Sequence, residues 1–218
     1  SLMERVPVGA YLDGDRIVWA SEAGDIRQVC SVSQIRLRGR HNIANVLAAC
    51  AIAGAAGAGS QAMAEVATSF TGVEHRLELV RIHRGVAYYN DSIATSPERA
   101  MAALQSFNEP LVLLAGGRDK HLPWDAWSRL VKERVREVIC FGEMVPLLQR
   151  TLAAVGAGED GGPQVYTCRT LAEAVDKAAQ VSRPGDVVLL SPGGTSFDAF
   201  ADFAARGEAY RAAVHALP

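Results

Sequence analysis

The stretch LVLLAGGRDKHLPWDAWSRLVKERVREVICFGE (111–143) alternates between two kinds of hydrophobic pattern. The dense apolar runs LVLLAGG and REVICFG are short, as in strands that are buried on both faces. Between them, the segment from Trp124 to Glu133 has helical spacing. Strand, helix and strand joined by short connections predict a parallel sheet covered by helices, which is an α/β fold.

The alternation continues on both sides of this stretch. Further strands are predicted at QVYTC (164–168) and DVVLLSP (186–192), and further helices at 97–106, 145–155, 171–181 and 196–216. AGEDGGP (157–163) is predicted to be a disordered surface loop.

The first third of the chain has a different pattern. Residues 8–37 are β-like, with Asp13-Gly14 as a hairpin turn, and two helices follow, the second at about 60–69. Strands then resume around a turn at 83–85. We therefore expect two domains, 3–74 and 75–218.

The overall composition excludes several classes of protein. The net charge of -2 gives no sign of a nucleic-acid partner or an anionic membrane surface. The longest apolar stretch is too short and too rich in Ala and Gly to cross a bilayer, so no membrane insertion is expected. The four cysteines contain no C-x-x-C pair, which favours buried reduced thiols over a zinc site or a disulfide framework.

Polar segments follow three of the predicted strands. They are GGRDK (116–120), FGE (141–143) and SPGGTS (191–196), and ligands of doubly wound sheets bind at the carboxyl ends of strands. Ser196, at the predicted start of the last helix, could bind a carboxylate, and Lys120 could add a cation. Each feature also has a structural explanation: a tight turn, a helix cap or a solvated lysine.

Four other polar residues are ordinary when taken singly. Asn42 and Asn45 share one helix face and could hydrogen-bond an adenine edge, although Asn is also a common cap. Arg76 could pair with Glu78 on the surface, and Asp91 follows a strand.

Five motifs in one order make the combination specific. They are GRHNIANVLAA (39–49), FTGVEHRLE (70–78), GVAYYNDSIATSP (85–97), LLAGGRDK (113–120) and LLSPGGTSFDAFADFAARGEAYR (189–211). From about residue 36 to the end, the chain resembles the second half of the Mur ligase family, and it is most similar to the branch that adds D-glutamate. The resemblance implies that 75–218 is a Rossmann-like C-terminal domain that binds the incoming amino acid. It also implies that 3–74 is the C-terminal part of the central, ATP-binding domain.

The resemblance implies a reaction and a set of ligands. ATP, with Mg²⁺, would activate the carboxylate of UDP-N-acetylmuramoyl-L-alanine as an acyl phosphate, which the amine of D-glutamate then attacks in cytoplasmic peptidoglycan synthesis by a monomeric enzyme. Asn42 and Asn45 would face the adenine, and Arg76 and Asp91 the ribose and phosphates. The two carboxylates of D-glutamate would be held by Thr95, Lys120, Ser196 and the backbone near Phe203.

Two features depart from a complete ligase of this branch. Ile93 stands where these enzymes often have lysine, and Arg118, close to Lys120, offers a replacement cation. The sequence contains no G-x-x-x-x-G-K-[ST] loop, which cradles ATP phosphates. We therefore expect this loop, the magnesium ligands and the UDP-sugar domain to lie upstream, and the chain to be inactive alone.

Three alternatives remain open at this point. A sister ligase for another amino acid is disfavoured because the D-N-P-R signature of the diaminopimelate branch does not occur. A Rossmann-like binding module would bind its ligand unaided. A dehydrogenase would need G-x-G-x-x-G spacing and a downstream acidic residue, which the glycine-rich segments lack.

Overall fold

The computed structural model describes residues 1–158 and 162–218. It divides into two compact units, Ser1–Gly72 and Val73–Pro218. Part of the predicted disordered loop, residues 159–161, lies outside the described residues. Within the described part of the chain, no helix is long and apolar enough to cross a membrane.

The first unit is a small sheet with two helices. Its strands β1 (Gly9–Asp13), β2 (Arg16–Ala20) and β3 (Ile26–Ser31) form an antiparallel sheet in that order. The predicted β1–β2 hairpin exists, but its turn is Gly14-Asp15, one residue later than predicted, because Asp13 still pairs with Arg16. Helices α1 (Arg40–Ala55) and α2 (Ser60–Ser69) enclose a core with this sheet, including Ile17, Leu47 and Met63.

The second unit is built on a six-stranded sheet in the order β4-β5-β9-β6-β7-β8. Strand β4 runs antiparallel at one edge, and the other five strands are parallel. The strands are β4 (Glu78–His83), β5 (Val86–Asn90), β6 (Leu111–Gly116), β7 (Val135–Phe141), β8 (Gln164–Cys168) and β9 (Val187–Gly193). The prediction of a mainly parallel α/β sheet is confirmed.

Helices cover both faces of this sheet. One core contains side chains of α3 (Pro97–Leu104), α4 (Asp125–Arg134) and α5 (Val145–Ala153). The opposite core contains side chains of α6 (Leu171–Val181) and α7 (Phe203–Ala216). Strands β6 and β9 are buried along their whole length because both faces are covered. All four cysteines, each within the described residues, are free, and Cys30, Cys50 and Cys140 are buried as expected.

The last helix begins later than the sequence predicted. It starts at Phe203, not at Ser196, because Asp202 has an extended backbone and caps the helix by accepting a hydrogen bond from Ala205 N at 2.7 Å. The carbonyl of Ser196 closes a separate turn with Phe200 N at 2.8 Å. Ser196 is therefore neither the helix cap nor a residue of the helix start.

Strand β9 lies where the direction of winding reverses. It returns to the middle of the sheet, between β5 and β6, after the chain has run outward through β7 and β8. Parallel strands end at the same edge, so the segments after β5, β6 and β9 meet at this switch point.

Candidate functional site

Three segments are joined by backbone hydrogen bonds at the carboxyl edge of the sheet. Arg118 N donates to Thr195 O and Thr195 N donates to Arg118 O, both at 2.9 Å, which joins the segments after β6 and β9. Gly193 N donates to Ala94 O at 2.9 Å, which joins β9 to the segment after β5. We call these segments, 91–96, 116–120 and 193–196, the edge loops.

The glycines of the edge loops permit this close approach. A Cβ atom on Gly117, whose φ is +107°, would lie 2.1 Å from Thr195 O. A Cβ on Gly116 would lie 2.1 Å from Phe141 O. Backbone packing alone therefore requires glycine at both positions, without any ligand.

The structure brings together two of the residues that were predicted to bind D-glutamate. The exposed Lys120 Nζ lies 3.1 Å from Thr95 Oγ1, although 25 residues separate them in sequence. Ser196 lies on the third edge loop and is buried, with 2% of its surface exposed. Phe203 is partly exposed at the start of α7, and its carbonyl accepts a hydrogen bond from Ser92 Oγ at 2.7 Å.

Sequence reasoning missed Arg206, which is fully buried beneath the edge loops. Its guanidinium donates to Ser92 Oγ at 3.0 Å, to Ser92 O at 2.9 Å and to Gly194 O at 3.1 Å. Burial lowers the pKa of Arg206 to about 10, so the side chain stays charged at neutral pH. Among the described residues, Arg206 is thus a buried cation that hydrogen-bonds no carboxylate. It joins the edge loops 91–96 and 193–196.

Asp91 is also buried at this edge. Its carboxylate accepts hydrogen bonds from Ser191 Oγ at 3.0 Å and from Leu77 N at 3.2 Å. Burial raises the pKa of Asp91 to about 7, against the opposing effects of these hydrogen bonds and of the Arg76 and Arg99 charges. The charge of the exposed Arg76 is one of the effects that oppose this rise.

The suggested pairing of Arg76 with Glu78 is wrong. The Glu78 carboxylate instead accepts from Arg211 Nη2 at 2.8 Å and from His75 N at 2.9 Å. These partners lie on α7 and in the segment before β4, so the short sequence distance between Arg76 and Glu78 was misleading.

Arg118, the suggested replacement for the missing lysine, has a carboxylate partner in this structure. Arg118 forms a bidentate pair with Glu143, with Nε and Nη2 at 2.8 and 3.0 Å from the carboxylate oxygens. Glu143 follows β7, the neighbouring strand, and the pair lowers the pKa of Glu143. Both side chains of this pair are exposed, so the suggested role of Arg118 beside Lys120 stays a prediction.

The two residues that were predicted to contact adenine lie in the first unit. Asn42 is buried near the start of α1, where its Nδ2 donates to Arg38 O at 2.7 Å. Asn45 is exposed, and its Nδ2 donates to Asn42 Oδ1 at 3.1 Å. Asn42 therefore fixes the orientation of Asn45, whose Oδ1 and second N–H remain available to a ligand.

Most of the second unit matches a known protein family. The Mur ligase, glutamate ligase domain matches residues 75–194, more than half of the chain. The chain belongs to the Mur ligase family. Among curated Mur ligases, it is 45% identical to the UDP-N-acetylmuramoylalanine--D-glutamate ligase of Symbiobacterium thermophilum, covering 95% of this chain and 45% of that protein. It is 42% identical to the ligase of the same name from Roseiflexus sp., covering 95% and 44%.

Solved structures show the same fold. The UDP-N-acetylmuramate-alanine ligase MurC of Thermotoga maritima superposes with a TM-score of 0.64 at 15% identity, over 92% of this chain and 44% of that chain. The folylpolyglutamate synthase of the same organism gives 0.60 at 17% identity, over 92% and 44%. This Mur ligase chain spans less than half the length of the curated relatives named above.

Proposed function

We propose that this chain is the C-terminal part of an ATP-dependent ligase that adds D-glutamate to UDP-N-acetylmuramoyl-L-alanine in peptidoglycan synthesis. The proposal is supported by relatives of that name, which are 36–45% identical over nearly the whole chain. The observation that carries it is the meeting of Lys120 and Thr95 at the switch point of the sheet. We further propose that the complete enzyme is cytoplasmic and monomeric, with 3–74 completing the ATP-binding domain and 75–218 forming the amino-acid domain.

The edge loops offer the groups that a dicarboxylate needs. Lys120 supplies a charge and N–H donors, and the hydroxyls of Thr95 and Ser196 can donate to carboxylate oxygens. The backbone N–H of Phe203, at the first position of α7, needs no partner within the helix. The buried Arg206 adds a positive field and fixes the loops, so the donors are arranged before the ligand arrives.

Each unit, taken by itself, offers residues that we assign to the nucleotide. The Asn45 amide matches the donor and acceptor edge of adenine, and Asn42 orients it. Arg76 would neutralise phosphate charge. Asp91 would position the Arg76 side chain and approach the ribose. ATP supplies the phosphoryl group that activates the substrate carboxylate, and we place the magnesium ligands outside this chain.

Steady-state kinetics of the complete enzyme test the assignment of the residues. Lys120→Ala and Ser196→Ala should each raise the KM for D-glutamate and leave the KM for ATP nearly unchanged. The loss of one charge-assisted hydrogen bond costs about 1.5 to 3 kcal/mol, so kcat/KM should fall roughly tenfold to a hundredfold. Arg76→Ala should impair the use of ATP instead.

Lys132→Ala is the matched control, because Lys132 lies exposed at the end of α4. Its kinetics should equal those of the unmodified enzyme. If Lys120→Ala and Ser196→Ala impair ATP use, or have no effect, the assignment of the D-glutamate site fails.

A further inference from the structure

The backbone that carries Lys120 has few fixed points. Among the described residues, no backbone-to-backbone hydrogen bond holds 119–123, the segment between Arg118 and the start of α4. Lys120 Nζ nevertheless lies 3.1 Å from Thr95 Oγ1. A long, exposed lysine side chain loses conformational freedom when it makes such a contact, and more so on an unanchored backbone. A side-chain contact must therefore hold this segment.

One side chain of the segment is anchored in the core. Asp119 Oδ1 accepts a hydrogen bond from Trp124 Nε1 at 3.3 Å. The Trp124 side chain is buried and packs edge-on against Trp127, with 5.1 Å between ring centroids. An indole that the core holds in place offers its N–H in one direction, and this buried N–H needs a partner. The bond thus ties the residue next to Lys120 to the hydrophobic core.

The same indole lies against the edge loop that follows β9. A Cβ on Gly193 would lie 2.7 Å from Trp124 Cη2, so the ring occupies the space that this glycine leaves. Gly193 N in turn donates to Ala94 O at 2.9 Å, and Ala94 precedes Thr95 in sequence. The ring therefore connects the loop that carries Lys120 with the loop that carries Thr95.

We propose that Asp119 and Trp124 are positioning residues that hold Lys120 beside Thr95, where its ammonium group can bind a carboxylate of the amino-acid substrate. This inference rests on the proposed function. Neither positioning residue is expected to contact the substrate, because Trp124 is buried and Asp119 has the same sign of charge as D-glutamate. Without the bond, the binding of D-glutamate would have to order the lysine and its loop.

A purely electrostatic role of Asp119 would have the opposite effect. Its second oxygen, Oδ2, lies 3.4 Å from Nδ1 of the exposed His121. A carboxylate at this place repels an incoming dicarboxylate and weakens the field of Lys120. Removal of the charge would then improve the binding of D-glutamate, whereas removal of a positioning contact weakens it. The sign of the effect separates the two roles.

Steady-state kinetics of the complete enzyme give this sign. Asp119→Ala should raise the KM for D-glutamate roughly threefold to tenfold, which is the cost of ordering one long side chain. The kcat and the KM for ATP should stay within about twofold of those of the unmodified enzyme. Asp119→Asn keeps an oxygen that can accept from the indole and should recover most of the loss. A lower or unchanged KM for D-glutamate in Asp119→Ala overturns the proposal.

Trp124→Phe and Trp127→Phe form a matched pair. Trp127 is fully buried in the same core, and its Nε1 has no hydrogen-bond partner among the described residues. Both substitutions remove the same atoms, but only Trp124→Phe breaks the bond to Asp119. Trp124→Phe should therefore raise the KM for D-glutamate, and Trp127→Phe should not. An equal rise in both variants overturns the proposal, because a loosened core would explain it.

The bond itself can be tested in the chain alone. The three tryptophans give three indole N–H signals in a ¹⁵N-labelled chain, which single Trp-to-Phe variants assign. Asp119→Ala should speed the solvent exchange of the Trp124 indole N–H and leave that of Trp127 unchanged. An unchanged Trp124 exchange rate overturns the proposal. A complete enzyme that does not use D-glutamate overturns the proposed function instead, and leaves the bond standing.

Discussion

Asp91 is a carboxylic acid that folding places almost out of contact with water. Its pKa is raised from an ordinary value of 3.8 to about 7, mainly by burial. The folded state therefore holds the proton more tightly than the unfolded state. The stability linked to this group is fully present below about pH 4 and is lost as the pH rises through about 7.

Asp91→Asn should remove this pH dependence. Between about pH 5 and pH 8, the unfolding free energy of the unmodified chain should fall relative to that of the variant, by up to about 3 kcal/mol. Urea unfolding followed by tryptophan fluorescence measures this. A Trp19→Phe background restricts the signal to Trp124 and Trp127 of the second unit. Parallel pH profiles for the two proteins would contradict the burial argument.

Arg206 should contribute strongly to stability through its hydrogen bonds. Arg206→Met leaves buried oxygens of Ser92 and Gly194 without a partner, which should cost at least about 3 kcal/mol. Arg206→Lys should be intermediate, because one ammonium cannot reproduce a planar fork. Denaturant titration gives both values, with Arg129→Met, an exposed arginine on α4, as the control. Equal stability of Arg206→Met and the control would contradict this role.

The residues of the site could be predicted from sequence only in part. The motif positions placed Lys120 and Thr95 correctly on adjoining loops, because the carboxyl ends of parallel strands share an edge. Arg206 was missed because burial of an arginine depends on what packs around it. The pair between Arg118 and Glu143 was not predicted, because Glu143 arrives from another strand.

At the scale of strands and helices, the hydrophobic period was a reliable guide. Each predicted strand and helix of 78–216 exists, because buried strands and amphipathic helices differ in period. The start of α7 was wrong, since both Ser196 and Asp202 are typical capping residues and the sequence does not say which one acts. The place of β9 between β5 and β6 depends on long-range pairing, which local patterns do not encode.

Gly117 should be essential for the contact between the loops after β6 and β9. Gly117→Ala adds a Cβ that would lie 2.1 Å from Thr195 O, in addition to the strain of φ +107°. Gly185→Ala is the matched control, with φ +94° and nothing within 4 Å of the added atom. The control should cost about 1 to 2 kcal/mol of stability from strain, and Gly117→Ala clearly more. Equal losses in denaturant titrations would show that the close approach is not required.

At the scale of the whole chain, we expect the second unit to fold alone. Its parallel sheet is covered on both faces and has two hydrophobic cores of its own. The first unit has a smaller core below a three-stranded sheet. Limited proteolysis should leave a resistant fragment from about residue 73 to 218 after the first unit is degraded. Degradation of both units at the same rate would contradict this.

Phosphate release separates the activity of the chain from that of the complete enzyme. The chain alone should release no phosphate from ATP, because the sequence contains no phosphate-binding loop. Release by the chain that depends on UDP-N-acetylmuramoyl-L-alanine would contradict this expectation.

The choice of amino acid by the complete enzyme tests the proposed D-glutamate ligase function. Phosphate release should be measured with ATP, Mg²⁺ and UDP-N-acetylmuramoyl-L-alanine, adding D-glutamate, L-glutamate or meso-diaminopimelate in turn. We expect release with D-glutamate and only background with the other two. Release with meso-diaminopimelate, or none with D-glutamate, would contradict it.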